Sequence, residues 1–126
     1  MKKYICMLLI LWPLLSLAAT STSTIILQAC NDAIKVIDND YVPTNYYMAG
    51  AQIRGLGLCF GYVSAITDSF SGTAFCPPAD NNYEQNVRII TKYLNAYQEE
   101  MNKFPAILMI QSLKQAFPCK RQQVNG

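Results

Sequence analysis

Gly57-Leu58-Cys59-Phe60-Gly61-Tyr62-Val63-Ser64-Ala65-Ile66-Thr67-Asp68 decides how the rest of the chain is read. Leu56, Cys59, Val63, Ile66 and Phe70 recur at steps of three and four, so the stretch reads as a helix with one apolar stripe. A cysteine lies inside that stripe. Gly55 and Gly61 interrupt it with small residues that would let another backbone come close, at a loss of helix propensity. Ser71-Gly72 breaks the pattern, and Cys76-Pro77-Pro78 follows. A thiol on a core helix, with a second cysteine in a stiff loop soon after, predicts a small helical domain held by disulfides.

The same periodicity extends in both directions. Upstream, Ile26, Cys30, Ala33 and Ile37 mark a first helix, with Ser23 or Thr24 able to cap it. Residues 19–24 before it read as a mobile Ser/Thr-rich lead. The helix should stop near Asn39-Asp40, because Pro43 disfavours helix at Val42, and Tyr41 to Asn45 connects it to a second helix starting at Tyr46. Downstream, Tyr83, Val87, Ile90, Leu94, Tyr97 and Met101 alternate steps of four and three and predict a third helix. Asn81 and Glu84 have the spacing of a capping box for it. Pro105 suits the first turn of a fourth helix lined by Ala106, Ile110, Leu113 and Phe117 and ended by Pro118-Cys119. No strand alternation competes. The fold class is all-α, a small four-helix bundle stapled by two disulfides, and short connections favour antiparallel neighbours.

The first residues stand apart from this domain. Lys2 and Lys3 precede an apolar run from Tyr4 to Leu15, and Ser16-Leu17-Ala18 places small residues where a signal peptidase reads. The expectation is a signal peptide cleaved after about Ala18, a helical domain over 19–126 and a loose tail over 120–126. A membrane anchor is the competing reading, but the run is short of the roughly 20 apolar residues a span requires. Without Lys2 and Lys3 the basic and acidic residues are equal in number. There is no electrostatic footprint for nucleic acid or an anionic membrane, and Lys120-Arg121 is a lone basic pair.

Cys30, Cys59, Cys76 and Cys119 remain after cleavage, an even number in an exported chain, so two disulfides with three possible connectivities are expected. Bundle geometry chooses among them. Cys30 lies about 11 residues before the first connection and Cys59 about 14 after it, so in an antiparallel hairpin they reach nearly the same height. Cys76 and Cys119 fall at ends that share one pole. The predicted pairs are Cys30–Cys59 and Cys76–Cys119. Metal binding has little support, since there is no CxxC and no histidine. The missing histidine also removes Ser-His-Asp and Cys-His catalytic sets, and oxidised cysteines leave no thiolate. Asp68, Asp80 and Glu84 could gather near the long loop as an acid/base pair, but capping and solvation account for them more simply. No catalytic residue, metal site or cofactor is expected.

The order of short motifs carries a resemblance. A cysteine in the first helix is followed by Cys-x-Gly-Tyr-Val-x-x-Ile-x-Asp over Cys59 to Asp68, then Phe75-Cys76-Pro77, Gln85 to Val87, Lys92-Tyr93-Leu94, and Ala-Phe-Pro-Cys over Ala116 to Cys119. From about Leu27 to Cys119 the chain resembles the Rap/Tai-type immunity proteins of bacterial type VI secretion systems. The chain departs from the family pattern at two places. Tyr97-Gln98-Glu99 stands where a His-Pro-Glu element is usual, and Ala65 stands near a usual glycine. The resemblance implies a small helical periplasmic protein that binds a cognate peptidoglycan amidase effector and occludes its cleft, with a homodimer possible. The alternative is a non-immunity periplasmic protein, binding or chaperone-like, on the same scaffold. An occluding inhibitor needs a protruding element, and Ser71–Asn82 is the longest irregular segment. Asp80 and Asn81 are the expected polar contacts, with Ser69, Ser71 and Thr73, and Phe75 or Tyr83 the expected aromatic anchor.

Overall fold

The computed structural model describes residues 21–38 and 46–120, with 46–48 as backbone alone. The expected signal peptide, the expected Tyr41–Asn45 connection and the expected tail from Arg121 onward lie outside the described residues. Four helices carry the fold: α1 Thr22–Ile37, α2 Tyr46–Phe70, α3 Tyr83–Ala96 and α4 Pro105–Ala116. No β-strand occurs among the described residues; one isolated bridge joins Ser71 and Phe75.

Each helix boundary has a local cause. Ser21 caps α1, its side chain accepting from the Thr24 amide at 3.2 Å, so the helix starts inside the expected Ser/Thr lead. The third helix is capped by Asn82 instead of Asn81. The Asn82 carboxamide accepts from Gln85 N–H at 2.9 Å, and the Gln85 side chain accepts from Asn82 N–H at 3.1 Å. The capping box sits one residue later than the Asn81–Glu84 spacing suggests, because Gln85 is at the N3 position and Glu84 instead takes Arg88. Helix α3 ends at Ala96, earlier than the stripe to Met101 implies. Thr91 Oγ1 donates to Val87 O and Asn95 Nδ2 donates to Thr91 O, side chains competing for backbone acceptors. A 3-10 turn at Gln98–Glu100 then returns Met101 to the core. Phe104 is extended ahead of Pro105, as a residue before proline should be.

Ile26, Cys30, Ala33, Cys59, Val63, Val87, Ile90, Leu94, Leu108, Met109 and Leu113 form one core. The buried face of α4 is centred on Leu108, Met109, Ser112 and Leu113, while Ala106 and Ile110 lie at its edge. The observed α4 stripe is therefore rotated by part of a turn from the expected one, with Leu113 common to both.

Both predicted disulfides are present, Cys30–Cys59 with Cα atoms 5.0 Å apart and Cys76–Cys119 at 4.8 Å. The packing that brings the first pair together is not the expected antiparallel hairpin. Ser23 donates to Lys103 O, Asn31 meets Asn95, and Asp38 meets Arg88, so α1 runs against α3. Thr67 meets Asn86, while Cys59 is bonded to Cys30, whose neighbour Asn31 meets Asn95 nearer the other end of α3, so α2 also runs against α3. Helices α1 and α2 thus share a general direction and meet near Gly55, where an added Cβ would lie 3.7 Å from Ala29 Cα. Gly61 plays no such part, with nothing within 4 Å. At 25 residues α2 is about 37 Å long against about 18 Å for α4, and its buried residues, Cys59, Val63 and Ile66, lie in its second half. Ala51, Ile53 and Arg54 are not buried, and Ile53 is 69% exposed.

Candidate functional site

The Ser71–Asn82 segment is tied down at both ends and exposed at its tip. Helix α2 ends at Phe70, and Gly72 takes the left-handed conformation (φ 80°) that turns the chain, a position costly for a residue with a Cβ. Phe70 O accepts from Ala74 N–H at 2.9 Å, and Gly72 N–H donates to Phe75 O at 2.8 Å. This tight turn drives the Phe75 ring into the core, where it is fully buried. Phe75 is therefore the anchor of the loop to its own scaffold. It is not an aromatic available to a partner, since exposing it would forfeit its burial.

Cys76 is fixed twice over: by its disulfide to Cys119, and by its N–H donating to Phe117 O at 2.8 Å. Pro77 and Pro78 follow, and Asn81 N–H closes a turn on Pro78 O at 3.0 Å. Pro78, Ala79 and Asp80 are left exposed at the tip. On the far side, the Asn82 capping box starts α3. Ser69, Ser71 and Thr73 are exposed, and Thr73 Oγ1 donates to Phe70 O at 3.0 Å.

Of the expected contact residues, Asp80 is at the tip, Asn81 is half-buried behind it and Tyr83 opens α3 at 41% exposure. Tyr83 is not free to swing, because its hydroxyl donates to Asp68 Oδ1. That hydrogen bond is the main cause that raises the phenol pKa above its ordinary value, since ionisation would put a second negative charge beside the carboxylate. Asp68 and Glu84 do not form an acid/base pair: Asp68 takes the Tyr83 hydroxyl, and Glu84 takes Arg88 at 3.0 Å. Arg88 also holds Asp38 at 2.6 Å, which lowers the Asp38 pKa through a charge-assisted hydrogen bond. No group of three or more His, Cys, Asp or Glu residues that could hold a metal occurs among the described residues.

Sequence reasoning missed Asn86. It lies one step off the apolar stripe of α3, yet it is fully buried, donating through Nδ2 to Thr67 Oγ1 at 3.2 Å. It borders a hollow of about 360 Å³ between the end of α2, the loop and the start of α3. The only sequence signal was its place one residue before Val87. A second, more apolar depression of about 390 Å³ lies between α3 and α4, bordered by Ile89, Tyr93, Tyr97 and Ala116. There Tyr93 and Tyr97 stack with ring centres 4.4 Å apart.

A family model described as Rap1a immunity proteins matches residues 22–119, which hold the four described α-helices and both disulfides. No curated protein and no solved structure matches the chain. Among the described residues no helix is long and apolar enough to cross a membrane.

Proposed function

The chain belongs to the Rap1a immunity protein family, and from that premise we propose that it acts in the periplasm, binding a cognate type VI-secreted peptidoglycan amidase and occluding its cleft without catalysis of its own. The observation that carries this reading is the braced loop. Phe75, the Cys76–Cys119 bond and the Asn82 capping box hold Ser71–Asn82 at three points, and the Pro78-Ala79-Asp80 tip projects from them. A loop ordered before binding loses little conformational entropy on binding, so more of its contact energy becomes affinity. Two disulfides suit an oxidising compartment, as does the signal sequence read in residues 1–18.

Asp80 and Asn81 supply the polar contacts and Tyr83 the aromatic one, with Phe75 supporting from beneath. A homodimer is part of the same proposal. The exposed face of α2 carries Ile53, Gly57 and Leu58, and a second copy would cover it. Protection tests the main reading: cells expressing a candidate type VI peptidoglycan amidase in their periplasm are scored for lysis. Wild-type protein should protect. The triple substitution Asp80→Ala, Asn81→Ala and Tyr83→Ala should abolish protection while the melting curve and protein level stay near wild type. Full protection by that variant at normal abundance moves the interface to the exposed faces of α2 and α3. No protection by the wild type, with no complex in a periplasmic pull-down, removes the immunity reading.

A further inference from the structure

Two buried oxygens in the loop region have no hydrogen-bond partner among the described residues: Asn81 Oδ1 and Asn86 Oδ1. Both residues border the 360 Å³ hollow, together with Thr67, Ser71, Pro77 and Tyr83. A buried acceptor without a donor is costly, and each one in a native protein calls for an explanation. We propose that this hollow receives an N–H-bearing cation, a lysine or arginine side chain of the protein partner, which donates to Asn81 Oδ1 and Asn86 Oδ1. This rests on the immunity reading and adds to it the chemistry of the group that the loop captures.

The surrounding field agrees on sign. Helix α2 points its C-terminal, negative end at the hollow and has no basic residue in its last turn. The positive end of α3 also faces this region, but it is already offset by Glu84 in its first turn and by the Asn82 cap. Asp68 accepts the hydroxyl of Tyr83, which lines the hollow, and Asp80 is on the exposed tip between the lining residues Ala79 and Asn81. Neither forms an ion pair among the described residues, whereas Arg88, the cation of the second turn of α3, is held by Asp38 and Glu84. An entering cation therefore meets acceptors and uncompensated negative charge. An entering carboxylate meets the same groups and is repelled. Both oxygens are buried, so entry includes a rotamer change at Asn81, which is half-buried and makes no side-chain hydrogen bond among the described residues.

The test uses the full exported protein and three probes at equal ionic strength: methylguanidinium, methylammonium and tetramethylammonium, the last a cation without N–H. Side-chain amide resonances of Asn81 and Asn86 are followed by 15N NMR. Saturable shifts at both amides with the first two ions and none with the third are expected. Asn81→Ala should weaken methylguanidinium binding, and Asn86→Leu should abolish it. Against the amidase partner proposed above, each substitution should raise Kd by about tenfold or more, the scale of one lost charge-assisted hydrogen bond. Shifts of equal size with tetramethylammonium, or no saturable shift with any ion, overturn the proposal, because the hollow then holds only water. Unchanged amidase affinity in a folded Asn81→Ala or Asn86→Leu protein overturns it while leaving the immunity reading intact. An amidase that never binds the wild type removes that reading, and the ion titration then decides the cation site alone.

Discussion

The two disulfides should behave differently although they contribute similar entropy. They close segments with sequence separations of 29 and 43. On the loop-entropy model these correspond to about 3.6 and about 4.0 kcal/mol at 25 °C. Their surroundings differ much more. Cys30 and Cys59 are fully buried between α1 and α2, while Cys76 and Cys119 are both exposed at the loop pole. Thiol exchange requires a thiolate to reach a sulfur, so access sets which bond opens first. The perturbation is a mild thiol reductant in native buffer, with free thiols trapped by an alkylating reagent and mapped by peptide mass spectrometry. Cys76 and Cys119 should be labelled first, with Cys30 and Cys59 protected until denaturant is added. The singly reduced protein should stay folded but melt lower by roughly 15–30 °C, taking about 4 kcal/mol and the usual 4–8 °C per kcal/mol for a domain of this size. A Cys76→Ala/Cys119→Ala protein should show the same fall. Equal labelling of both pairs in native buffer, or earlier labelling of Cys30–Cys59, would refute the access argument. A melting shift below about 5 °C with thiol counting complete would refute the entropy argument.

Other substitutions separate the roles of neighbouring residues. Phe75→Ala should destabilise the domain by about 3–5 kcal/mol in chemical denaturation, as a fully buried ring is lost from the core. Asn82→Ala should cost about 1 kcal/mol, and Asn81→Ala nothing or a slight gain, because Asn82 holds the cap and Asn81 carries an unpaired oxygen. Gly61→Ala should stabilise by about 0.5–1 kcal/mol, since that helical position has nothing within 4 Å. The Asp38 carboxyl, held below its ordinary pKa by Arg88, adds stability that is present above the unfolded carboxylate pKa and lost as pH falls through the lower folded value. Asp38→Asn should therefore flatten the acid side of the stability–pH curve, read by melts from pH 7 downward.

Much of this fold was legible in the sequence, and the unreadable parts share a cause. Helical periodicity located all four helices, because apolar residues at a step of 3.6 line up on one side only when the backbone is helical. It gave Cys30 and Cys59 the same buried status and so supported their pairing. It could not give helix direction, which depends on contacts between side chains far apart in sequence. Ser23 with Lys103 and Asp38 with Arg88 set the course of α1, and no local pattern announces either. The same limit applies to Phe75. In sequence it is an aromatic residue in a polar loop, the usual look of a partner contact. Only the left-handed turn at Gly72 and the bond from Cys76 to Phe117 O show that the loop folds it inward. Asn86 was hidden for the opposite reason, a polar residue beside an apolar stripe that tertiary packing encloses.

The loop pole concentrates features that the rest of the bundle avoids. Its disulfide is exposed, two of its oxygens lack donors, and one of its residues has positive φ. Elsewhere the buried polar side chains Ser23, Thr91 and Ser112 donate to backbone carbonyls and the disulfide is sealed. This division has a mechanical consequence. Opening Cys76–Cys119 removes one tether on the N-terminal side of the exposed tip, yet Phe75 and the Asn82 cap still hold the loop at its ends. The loop should then sample more conformations without the bundle unfolding, and partner affinity should fall mainly through a higher entropic cost of binding. Calorimetric titration of the proposed amidase partner into oxidised and singly reduced protein at one temperature separates the terms. A lower affinity carried by a less favourable entropy, with enthalpy nearly constant, is the expected result. A loss carried by enthalpy instead would mean that the disulfide, or its immediate surface, makes the contact directly.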